Sequence, residues 1–588
     1  MKFGKLSVFV VAALLASTRV VGAQTAEEQL EWFRDAKFGM FVHFQAHRDV
    51  NEFNPVDFDA NQWLQVAKDG GVKYIVITTK HHAGFCIFDS ALTEYDVMDA
   101  APFKRDIVGE LSEACQANDI RLGCYYSIAD YNHPLYDPKY QNRAPLRNAI
   151  VPDADISQYM IYMYEQIEEL CVKYDPFLFW FDGGSGFRPP ERKRMLGQQD
   201  MVDLLHSYGA ISNSRLGDDD SLRYVDYMSM GDNQTPPVNI GQTFESAICM
   251  NNGWGYSANA DEYKSVEDLL ERLVKIVGKG GNFLLNVAPN SQGVFHEAAI
   301  ARFKGMGDWL AINGEAIYGT EAGPYPFGLN WGSMTQRKDG KNTILYLNVV
   351  DWPADGSFEL DGLNNKIVSA TLLDGGAALT YTSTFDPAAG LRRHKINVPQ
   401  TAPDACVSVI ALTVEGEASM EQVHMQQNDG SVVLDAYTGI IHDTEFMANK
   451  PRRAMDFKEF TVPLGGQGIV PARMLSVAGL RTPGQALSWD FRLVEPGTYQ
   501  VVVASIGPSK GCRLRATVDG QSVVNDLNEF EKRKTIELPT DKIQESIAVL
   551  GTVTLSAPGM QTLTLDVAPD SAGPAPQLRS VELLPIAE

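Results

Sequence analysis

From Lys37 to about Tyr318, short apolar runs alternate with amphipathic stretches, which predicts strands and helices in turn. The predicted strands are Lys37–Phe44, Lys73–Thr79, Ile120–Ser127, Phe177–Asp182, Ala210–Arg215, Val225–Ser229, Gly241–Cys249 and Phe283–Val287. The predicted helices are Asn61–Asp69, Asp106–Asn118, Ile156–Tyr174, Gln198–Ser207 and Val266–Gly278. Eight strands alternating with helices over this length favour an α/β fold of the (β/α)8-barrel type, with a doubly wound open sheet as the alternative. No GxGxxG or phosphate-binding loop follows any strand, which weakens the alternative.

Helical periodicity almost disappears after Tyr318, and short alternating runs bounded by turn residues take its place. The organisation expected is therefore the barrel over 24–320, an antiparallel β-sandwich over 321–415, a polar linker over 416–430 and a second antiparallel sandwich over 431–588. The runs that carry this expectation are Thr343–Val350, Ile367–Leu373, Val407–Val414, Ser488–Leu493, Tyr499–Ala504, Ile547–Leu555 and Gln561–Val567. Carbohydrate binding is one role open to the last sandwich, although the architecture by itself does not establish it.

The first 23 residues have the three parts of a secretory signal peptide. Lys2 and Lys5 precede the apolar run Leu6–Ala16, and Val21-Gly-Ala23 supplies small residues before Gln24. A mature protein that begins near Gln24 and is secreted or periplasmic is therefore expected. No later run approaches ~20 apolar residues, so no membrane insertion is expected.

Charge and cysteine content exclude several classes of protein. A net charge of −24 argues against nucleic acid as a partner, because phosphate binding requires a basic face. Seven cysteines in 588 residues are too few for a disulfide scaffold. No CxxC or His-rich spacing indicates a metal site, so neither a metal nor another cofactor is predicted. The oligomeric state is not indicated.

Several predicted strands end in side chains that can bind a polar ligand. The first strand ends near His43, the second runs into His81 and His82, the third carries Tyr125, and the fourth ends at Asp182. A single His beside an apolar strand is most often a core residue. Three histidines at two successive strand ends, where barrel enzymes have their catalytic residues, indicate a functional site instead.

Donors, aromatic rings and a carboxylate together suit a sugar, whose hydroxyls need directional partners and whose C–H face packs on rings. Hydrolysis of a glycosidic bond normally uses two carboxyl groups. Asp182, which could otherwise simply cap the next turn, supplies the first. Glu245 is the candidate for the second, since its apolar and aromatic neighbours in the sequence would raise the pKa of a carboxyl. Asp226 and Asp232 are its rivals.

Six ordered motifs between about Gln29 and Gly319 resemble the α-L-fucosidases of glycoside hydrolase family 29. They are Trp32-Phe-Arg-Asp-Ala-Lys-Phe-Gly-Met-Phe-Val-His43, Thr78-Thr-Lys-His-His-Ala-Gly-Phe85, Lys104-Arg-Asp-Ile-Val-Gly-Glu110, Gly123-Cys-Tyr-Tyr-Ser127, Phe179-Trp-Phe-Asp182 and Gly280-Gly-Asn-Phe-Leu-Leu-Asn-Val-Ala-Pro289. The resemblance implies an exported retaining exo-α-L-fucosidase that releases L-fucose from fucosylated oligosaccharides or glycans by double displacement.

The resemblance also implies roles for individual residues. Asp182 matches the nucleophile, and Glu245 is preferred as acid/base because Phe-Glu-Ser…Trp-Gly-Tyr resembles the family's Trp-Glu-Thr…Trp-Gly-Tyr; Asp226 and Asp232 stay open. The positions that match substrate-binding residues are His43, His81, His82, Tyr125, Trp180, Arg215 and Trp254.

Three motifs depart from the family pattern, at four positions. Gln45 and Ala83 stand where the family usually has Gly and Asp, Phe44 stands where it has Trp, and Phe244 before Glu245 is a conservative change from Trp. These departures leave two further hypotheses. One is a secreted glycan-binding protein with weakened catalysis, which an intact Asp182 argues against. The other is a glycosidase for a fucose-like sugar such as L-galactose.

Overall fold

The computed structural model describes most of the chain from Gln24 onward. The described residues are 24–45, 49–136, 156–184, 196–216, 224–236, 238–442, 452–453, 470–472, 476–478, 480, 485–506, 511–526, 531–537, 542–573 and 575–586. The predicted signal peptide, residues 1–23, lies outside them. Within these ranges, no helix is both long enough and apolar enough to cross a membrane.

Eight parallel strands form the first sheet. They are β1 Phe38–Val42, β2 Tyr74–Lys80, β3 Arg121–Ser127, β4 Leu178–Asp182, β5 Ile211–Ser212, β6 Met228–Ser229, β7 Phe244–Cys249 and β8 Asn282–Val287. Their order is β5-β4-β3-β2-β1-β8-β7-β6, so the first and last strands are neighbours. A parallel bridge between Asn213 and Tyr227 joins the two ends of this order. The predicted (β/α)8-type barrel is confirmed.

Helices connect most of these strands. Within the described residues they are α1 Ala26–Ala36, α2 Ala60–Asp69, α3 Ile107–Gln116, α4 Ile156–Tyr174, α5 Gln198–Ser207, α6 Val266–Val277 and α7 Glu297–Asn313. The sequence pattern predicted α2 to α6 within two residues at each end but did not predict α1 or α7. Helix α1 places Phe33 against Tyr74 and Tyr227, with ring centroids 5.5 and 4.7 Å apart, so it covers the amino end of the barrel interior.

Side-chain alternation along the strands separates two cores. In β4, Phe179 and Phe181 pack in the layer that includes the helices, whereas Leu178 and Trp180 pack inside the barrel with Phe41. Successive side chains of a strand point to opposite faces, so Asp182 has the same inward direction as Trp180. The interior core of the barrel therefore ends, at the carboxyl end of β4, in a carboxylate.

The second unit is a β-sandwich of a five-stranded and a three-stranded sheet, in the orders β13-β16-β11-β10-β9 and β12-β15-β14. Its strands are β9 Glu321–Ala322, β10 Gly332–Asp339, β11 Asn342–Val349, β12 Ser357–Asp361, β13 Ile367–Leu372, β14 Tyr381–Asp386, β15 Leu391–Asn397 and β16 Ser408–Glu415. All of its strand pairs are antiparallel. It contacts the barrel through Trp309, whose indole N–H donates to the carbonyl of Val407 at 2.8 Å.

The third unit contains two further sheets that are mainly antiparallel. Its described strands are β17 His424–Met425, β18 Val432–Asp435, β19 Ile440–His442, β20 Arg452–Arg453, β21 Val470–Ala472, β22 Ser476–Ala478, β23 Ala486–Leu493, β24 Gly497–Ile506, β25 Arg513–Val518, β26 Gln521–Asp526, β27 Glu531–Glu537, β28 Lys542–Leu555, β29 Gly559–Val567 and β30 Gln577–Pro585. The predicted architecture, a barrel followed by two β-sandwiches, is confirmed.

The segment 416–430, expected to be a linker, contacts both sandwiches. Met420 forms a bridge with Leu363 of the first sandwich, and strand β17 pairs with β23 of the second. Met420 and Met425 are both buried. Burial of these apolar side chains gives an otherwise polar segment a fixed place between the two units.

Candidate active site

The carboxyl ends of the first four strands bring together most of the predicted site residues. His43 directly follows β1, His81 and His82 directly follow β2, Tyr125 lies near the end of β3, and Asp182 ends β4. Parallel pairing of adjacent strands places all these ends at the same edge of the barrel. The sequence-based expectation of a cluster at the strand ends therefore agrees with the structure.

Three groups surround the carboxyl of Asp182, whose side chain is 29% exposed. The hydroxyl of Tyr125 donates to Oδ2 at 3.1 Å, His82 Nε2 lies 3.5 Å from Oδ2, and Arg215 Nη1 lies 3.4 Å from Oδ1. Burial opposes ionisation, but the hydrogen bond from His82 and the charge of Arg215 hold the pKa of Asp182 well below its usual range. Asp182 is therefore an ionised carboxylate that remains accessible from the pocket.

A serine orients His82 toward this carboxylate. The oxygen of Ser127 lies within hydrogen-bond distance of His82 Nδ1 and of the carbonyl of Ala129, and this contact turns His82 Nε2 toward Asp182. Gly183 has φ +75°, and a Cβ at this position would lie 3.1 Å from the imidazole of His82. The glycine after Asp182 thus permits both the backbone conformation and the close approach of His82.

A buried ion pair fixes the two loops that meet beside His82. Lys80 Nζ lies 3.3 Å from Asp130 Oδ2 and 4.3 Å from the ring centroid of Tyr126. Both charged side chains are nearly inaccessible to solvent, so their separation would be costly. The N–H of Tyr131 also donates to the carbonyl of His82 at 2.9 Å. These contacts give the imidazole a rigid support.

Asn286 on β8 determines the tautomer of His43. Its amide nitrogen donates to the carbonyl of Trp254 at 3.0 Å, so its oxygen faces His43 Nδ1 at 2.6 Å. This oxygen can only accept a hydrogen bond, so the proton of the imidazole is on Nδ1. Burial lowers the pKa of His43 to about 4. His43 is therefore neutral near pH 7, with Nε2 as an acceptor for a ligand hydroxyl. Its ring centroid lies 4.9 Å from that of Trp254.

Stacked rings form one wall of the site. His81 stacks on Tyr125 at 5.4 Å and Tyr125 stacks on Trp180 at 5.6 Å, with interplanar angles of 12° and 18°. The guanidinium of Arg215 lies 4.5 Å from the Trp180 ring centroid. His81 is partly exposed, whereas Tyr125 and Trp180 are 1% and 2% exposed, so this wall runs from the site into the barrel interior.

Arg215 connects two carboxylates. It lies in a short 3₁₀ helix, Ser214–Leu216, and its Nε donates to Ser229 Oγ at 3.1 Å. Its Nη2 donates to the carbonyl of Met230 at 2.8 Å and to Asp232 Oδ1 at 2.7 Å, while Nη1 faces Asp182. The side chain of Asp232 is 39% exposed. The structure thus brings Asp232 and Asp182 to the same guanidinium.

The turn that carries Asp232 is attached to β7. Asn233 adopts φ +56°, and its N–H donates to the carbonyl of Ala247 at 3.1 Å. Its side-chain oxygen accepts from the N–H of Cys249 at 2.7 Å. Asn tolerates this left-handed conformation better than most residues. Asp232 is therefore held in place by its neighbour in the sequence as well as by Arg215.

Glu245, the preferred acid/base candidate, lies within β7 and not at its carboxyl end. It is the second residue of β7, its side chain is fully buried, and its oxygens accept from Tyr74 at 2.7 Å, from Trp180 Nε1 at 2.8 Å and from Tyr227 at 3.4 Å. Burial raises its pKa to about 7, although all three donors oppose this. The apolar and aromatic context that suggested a catalytic acid belongs to the barrel interior beneath the pocket.

Asp226, the other rival, has a supporting role outside this cluster. Its Oδ2 accepts from the N–H of Ser212 at 2.7 Å, and its Oδ1 lies 2.9 Å from His206 Nε2. The hydrogen bond from Asp226 raises the pKa of His206. Asp226 thereby ties α5 to the end of β5, and no contact with Asp182 or Arg215 occurs among the described residues.

Asn286 and Ser127 support the site but were not identified as site residues from the sequence. Each is a polar residue that ends or nearly ends an otherwise apolar strand, and this was the signal that could have identified them. Of the departures from the family pattern, Ala83 is exposed. The Oε1 atom of Gln45 is buried and has no hydrogen-bond partner within the described part of the chain.

Comparison with known proteins relates this site to carbohydrate enzymes. The family model described as alpha-L-fucosidase matches residues 45–315. α-L-Fucosidase isoenzyme 1 from Paenibacillus thiaminolyticus is 31% identical with a TM-score of 0.58, over 66% of this chain and 99% of that one. A GH29 α-L-fucosidase from Bacteroides thetaiotaomicron, trapped as a covalent intermediate with 2-fluoro-fucosyl fluoride, is 26% identical with a TM-score of 0.58, over 68% and 98%. The α-L-fucosidase from Vibrio sp. strain EJY3 shares the fold, with a TM-score of 0.74, 24% identity, and coverage of 96% and 99%.

An ionised carboxylate at the carboxyl end of a (β/α)8 barrel, among stacked rings, is the site of a glycoside hydrolase. The identity with the Paenibacillus enzyme over nearly its whole length makes the relationship specific. The chain belongs to the α-L-fucosidases of glycoside hydrolase family 29.

Proposed function

We propose that the protein is an exported, retaining exo-α-L-fucosidase that releases L-fucose from fucosylated oligosaccharides or glycans. The observation that carries the proposal is the environment of Asp182, an ionised and accessible carboxylate among Tyr125, His82 and Arg215. A carboxylate that stays ionised can attack the anomeric carbon. Capture of a covalent intermediate in the Bacteroides relative supports double displacement here as well.

In the first step Asp182 Oδ forms a bond to C1 of fucose while the bond from C1 to the leaving oxygen breaks, and an acid protonates that oxygen. In the second step the group that acted as the acid, now deprotonated, takes a proton from water. The water oxygen forms a bond to C1, and the bond from C1 to Asp182 breaks. Two inversions give net retention.

We assign the acid/base role to Asp232 and not to Glu245. Asp232 is 39% exposed and shares the guanidinium of Arg215 with the nucleophile, whereas Glu245 is fully buried and already accepts three hydrogen bonds. A group that exchanges protons with a leaving oxygen and with water must reach both. Of these two carboxyl groups, Asp232 satisfies this requirement.

The remaining polar groups suit the hydroxyls of one terminal sugar. His43 offers an acceptor at Nε2, since Asn286 occupies Nδ1, and the partly exposed side chains of His82 and Arg215 lie beside Asp182. The partly exposed rings of His81 and Trp254 lie next to them for the apolar side of the sugar, and the buried Trp180 supports Tyr125. A few precisely placed polar groups of this kind fix the orientation of a ligand and give specificity for it.

Export rests on the N-terminal sequence. Lys2, Lys5, the apolar run Leu6–Ala16 and the small residues before Gln24 support a cleavable signal peptide. N-terminal sequencing of the protein from the extracellular or periplasmic fraction should begin near Gln24. Protein that keeps Met1 and stays in the cytoplasm would contradict export.

A panel of aryl glycosides tests the activity itself. We expect hydrolysis of the aryl α-L-fucoside, with α-L-fucose as the first product seen by proton NMR. β-L-Fucose as the first product would contradict retention. Preference for an aryl α-L-galactoside would favour the fucose-like alternative, and binding of fucosylated glycans without any product would favour a glycan-binding protein.

A further inference from the structure

Glu245 is a buried carboxyl group that the proposed mechanism does not use. It lies inside the barrel, directly beneath the pocket wall, and is completely inaccessible to solvent. Its three partners, Tyr74, Tyr227 and Trp180, all donate hydrogen bonds to it. A buried carboxyl is costly unless it is satisfied, and this one is satisfied by side chains that come from three different parts of the barrel.

One of these partners, Trp180, forms the buried end of the wall of stacked rings. The indole N–H of Trp180 donates to Glu245 Oε2 at 2.8 Å, which fixes the plane of the ring. Tyr125 stacks on one side of this ring system, and the guanidinium of Arg215 lies 4.5 Å from its centroid. Tyr125 and Arg215 are two of the three side chains that surround the carboxyl of Asp182.

The backbone of Glu245 supplies a second connection to Arg215. The N–H of Met230 donates to the carbonyl of Glu245 at 2.9 Å. The carbonyl of Met230 in turn accepts from Arg215 Nη2 at 2.8 Å. Glu245 is thus linked to the guanidinium through the ring of Trp180 and through the turn after β6.

We propose that Glu245 is a positioning residue of the α-L-fucosidase reaction: through Trp180 it sets the placement of Arg215 and Tyr125 on the nucleophile. The inference rests on the proposed function. It predicts that loss of the Glu245 carboxyl slows the reaction without changing which group donates the proton.

The test is Glu245→Gln, which has nearly the same shape but replaces one of the two oxygens that accept from these three neighbours with an amide N–H₂. We expect kcat/KM for aryl α-L-fucosides to fall by about 10- to 100-fold, the range that small misplacement of reacting groups produces. The factor should be the same for good and poor leaving groups, and azide should not restore turnover. The near-UV circular dichroism of tryptophan should change as well.

Asp226→Asn is the matched control, because it converts another largely buried carboxyl of the barrel that has no contact with Trp180. It should keep the kinetics and the tryptophan spectrum of the wild type. If Glu245→Gln does not fold, Tyr74→Phe takes its place, since it removes the 2.7 Å donor from the same carboxyl. The same loss, independent of the leaving group, is expected.

A double-mutant cycle with Trp180→Phe isolates the link. Phe keeps an aromatic ring but has no N–H, so Glu245→Gln should have little further effect on kcat/KM or on the spectrum in that background. Additive effects would overturn the proposal. So would wild-type kinetics in Glu245→Gln, or restoration of its turnover by azide, which would make Glu245 the acid/base.

The spectroscopic measurement separates this inference from the proposed function. If the wild type hydrolyses no aryl α-L-fucoside, the proposed function fails. The near-UV spectrum would still support the positioning of Trp180 by Glu245 if Glu245→Gln changes it in the wild type but not in the Trp180→Phe background. An unchanged spectrum would contradict it.

Discussion

Four carboxyl groups of the barrel differ in their surroundings, and these decide their roles. Asp182 and Asp232 are accessible and share Arg215, Glu245 is enclosed by aromatic donors, and Asp226 is used by Ser212 and His206. In the proposed mechanism the carboxyl group therefore serves as nucleophile at Asp182, as acid/base at Asp232 and as support for a ring at Glu245, while Asp226 connects two elements of the barrel. Residue type alone does not separate these roles.

Asp182→Ala should lower kcat on an aryl α-L-fucoside by about 10³-fold or more, because no carboxylate remains to attack C1. Added azide should occupy the vacated space and attack the same face, which gives β-L-fucosyl azide. Product analysis by NMR checks the configuration, and an unchanged thermal unfolding midpoint serves as the control for folding. Turnover close to that of the wild type would exclude Asp182 as the nucleophile.

Asp232→Asn should slow poorly activated substrates most, by about 10²- to 10⁴-fold, because they depend on proton donation to the leaving oxygen. Activated aryl fucosides should be affected less. Azide should intercept the fucosyl-enzyme without needing a general base and give α-L-fucosyl azide, the configuration opposite to that from Asp182→Ala. A uniform loss for all leaving groups, with no azide product, would remove Asp232 from the acid/base role.

At the level of elements, two features determine where the carboxyl groups of Asp182 and Asp232 lie. Inward and outward alternation along β4 directs Asp182 into the pocket, continuing the row of Leu178 and Trp180. The turn after β6 places Asp232, and Asn233 attaches this turn to β7 through two hydrogen bonds. The strand supplies one carboxyl rigidly, and the turn supplies the other through an anchored loop.

Asn233→Gly tests this anchor, because glycine keeps the positive φ while removing the acceptor for Cys249 N–H. The buried N–H of Cys249 would be left without this acceptor, which costs about 1–3 kcal/mol and should loosen the turn. We expect kcat to fall more for poor leaving groups than for good ones, as with Asp232→Asn but to a smaller extent. Equal losses on both substrate types would show that the turn does not control Asp232.

At the level of the whole molecule, the buried carboxyl of Glu245 makes folding stability depend on pH. Burial raises its pKa from an ordinary value of 4.5 to about 7. Between these pH values the folded protein holds a proton that the unfolded chain has released, so stability falls as pH rises through this window. The full effect, reached above pH 7, is on the order of 3 kcal/mol.

Glu245→Gln removes this titration and should therefore lose less stability than the wild type when pH is raised from 5 to 8. The measurement is the unfolding midpoint of the barrel at both pH values, followed by near-UV circular dichroism. Parallel falls in Glu245→Gln and the wild type would mean that Glu245 does not titrate in this range.

The sequence by itself determined the barrel, the two sandwiches and Asp182 at the end of β4. Periodicity of apolar residues is a local property, and β4 is apolar on both faces up to its final carboxylate, so both could be read along the chain. The sequence did not show that α1 covers the amino end of the barrel, because that contact joins Phe33 to residues far away in the chain.

Only the tertiary structure decided which carboxyl accompanies Asp182. Glu245 and Asp232 both have aromatic or apolar neighbours in the sequence, but β7 runs with Glu245 near its buried start, while the turn after β6 brings Asp232 to Arg215. Depth within the barrel and the shared guanidinium arise from strand direction and from contacts between distant segments. No local pattern of residue types encodes either of them.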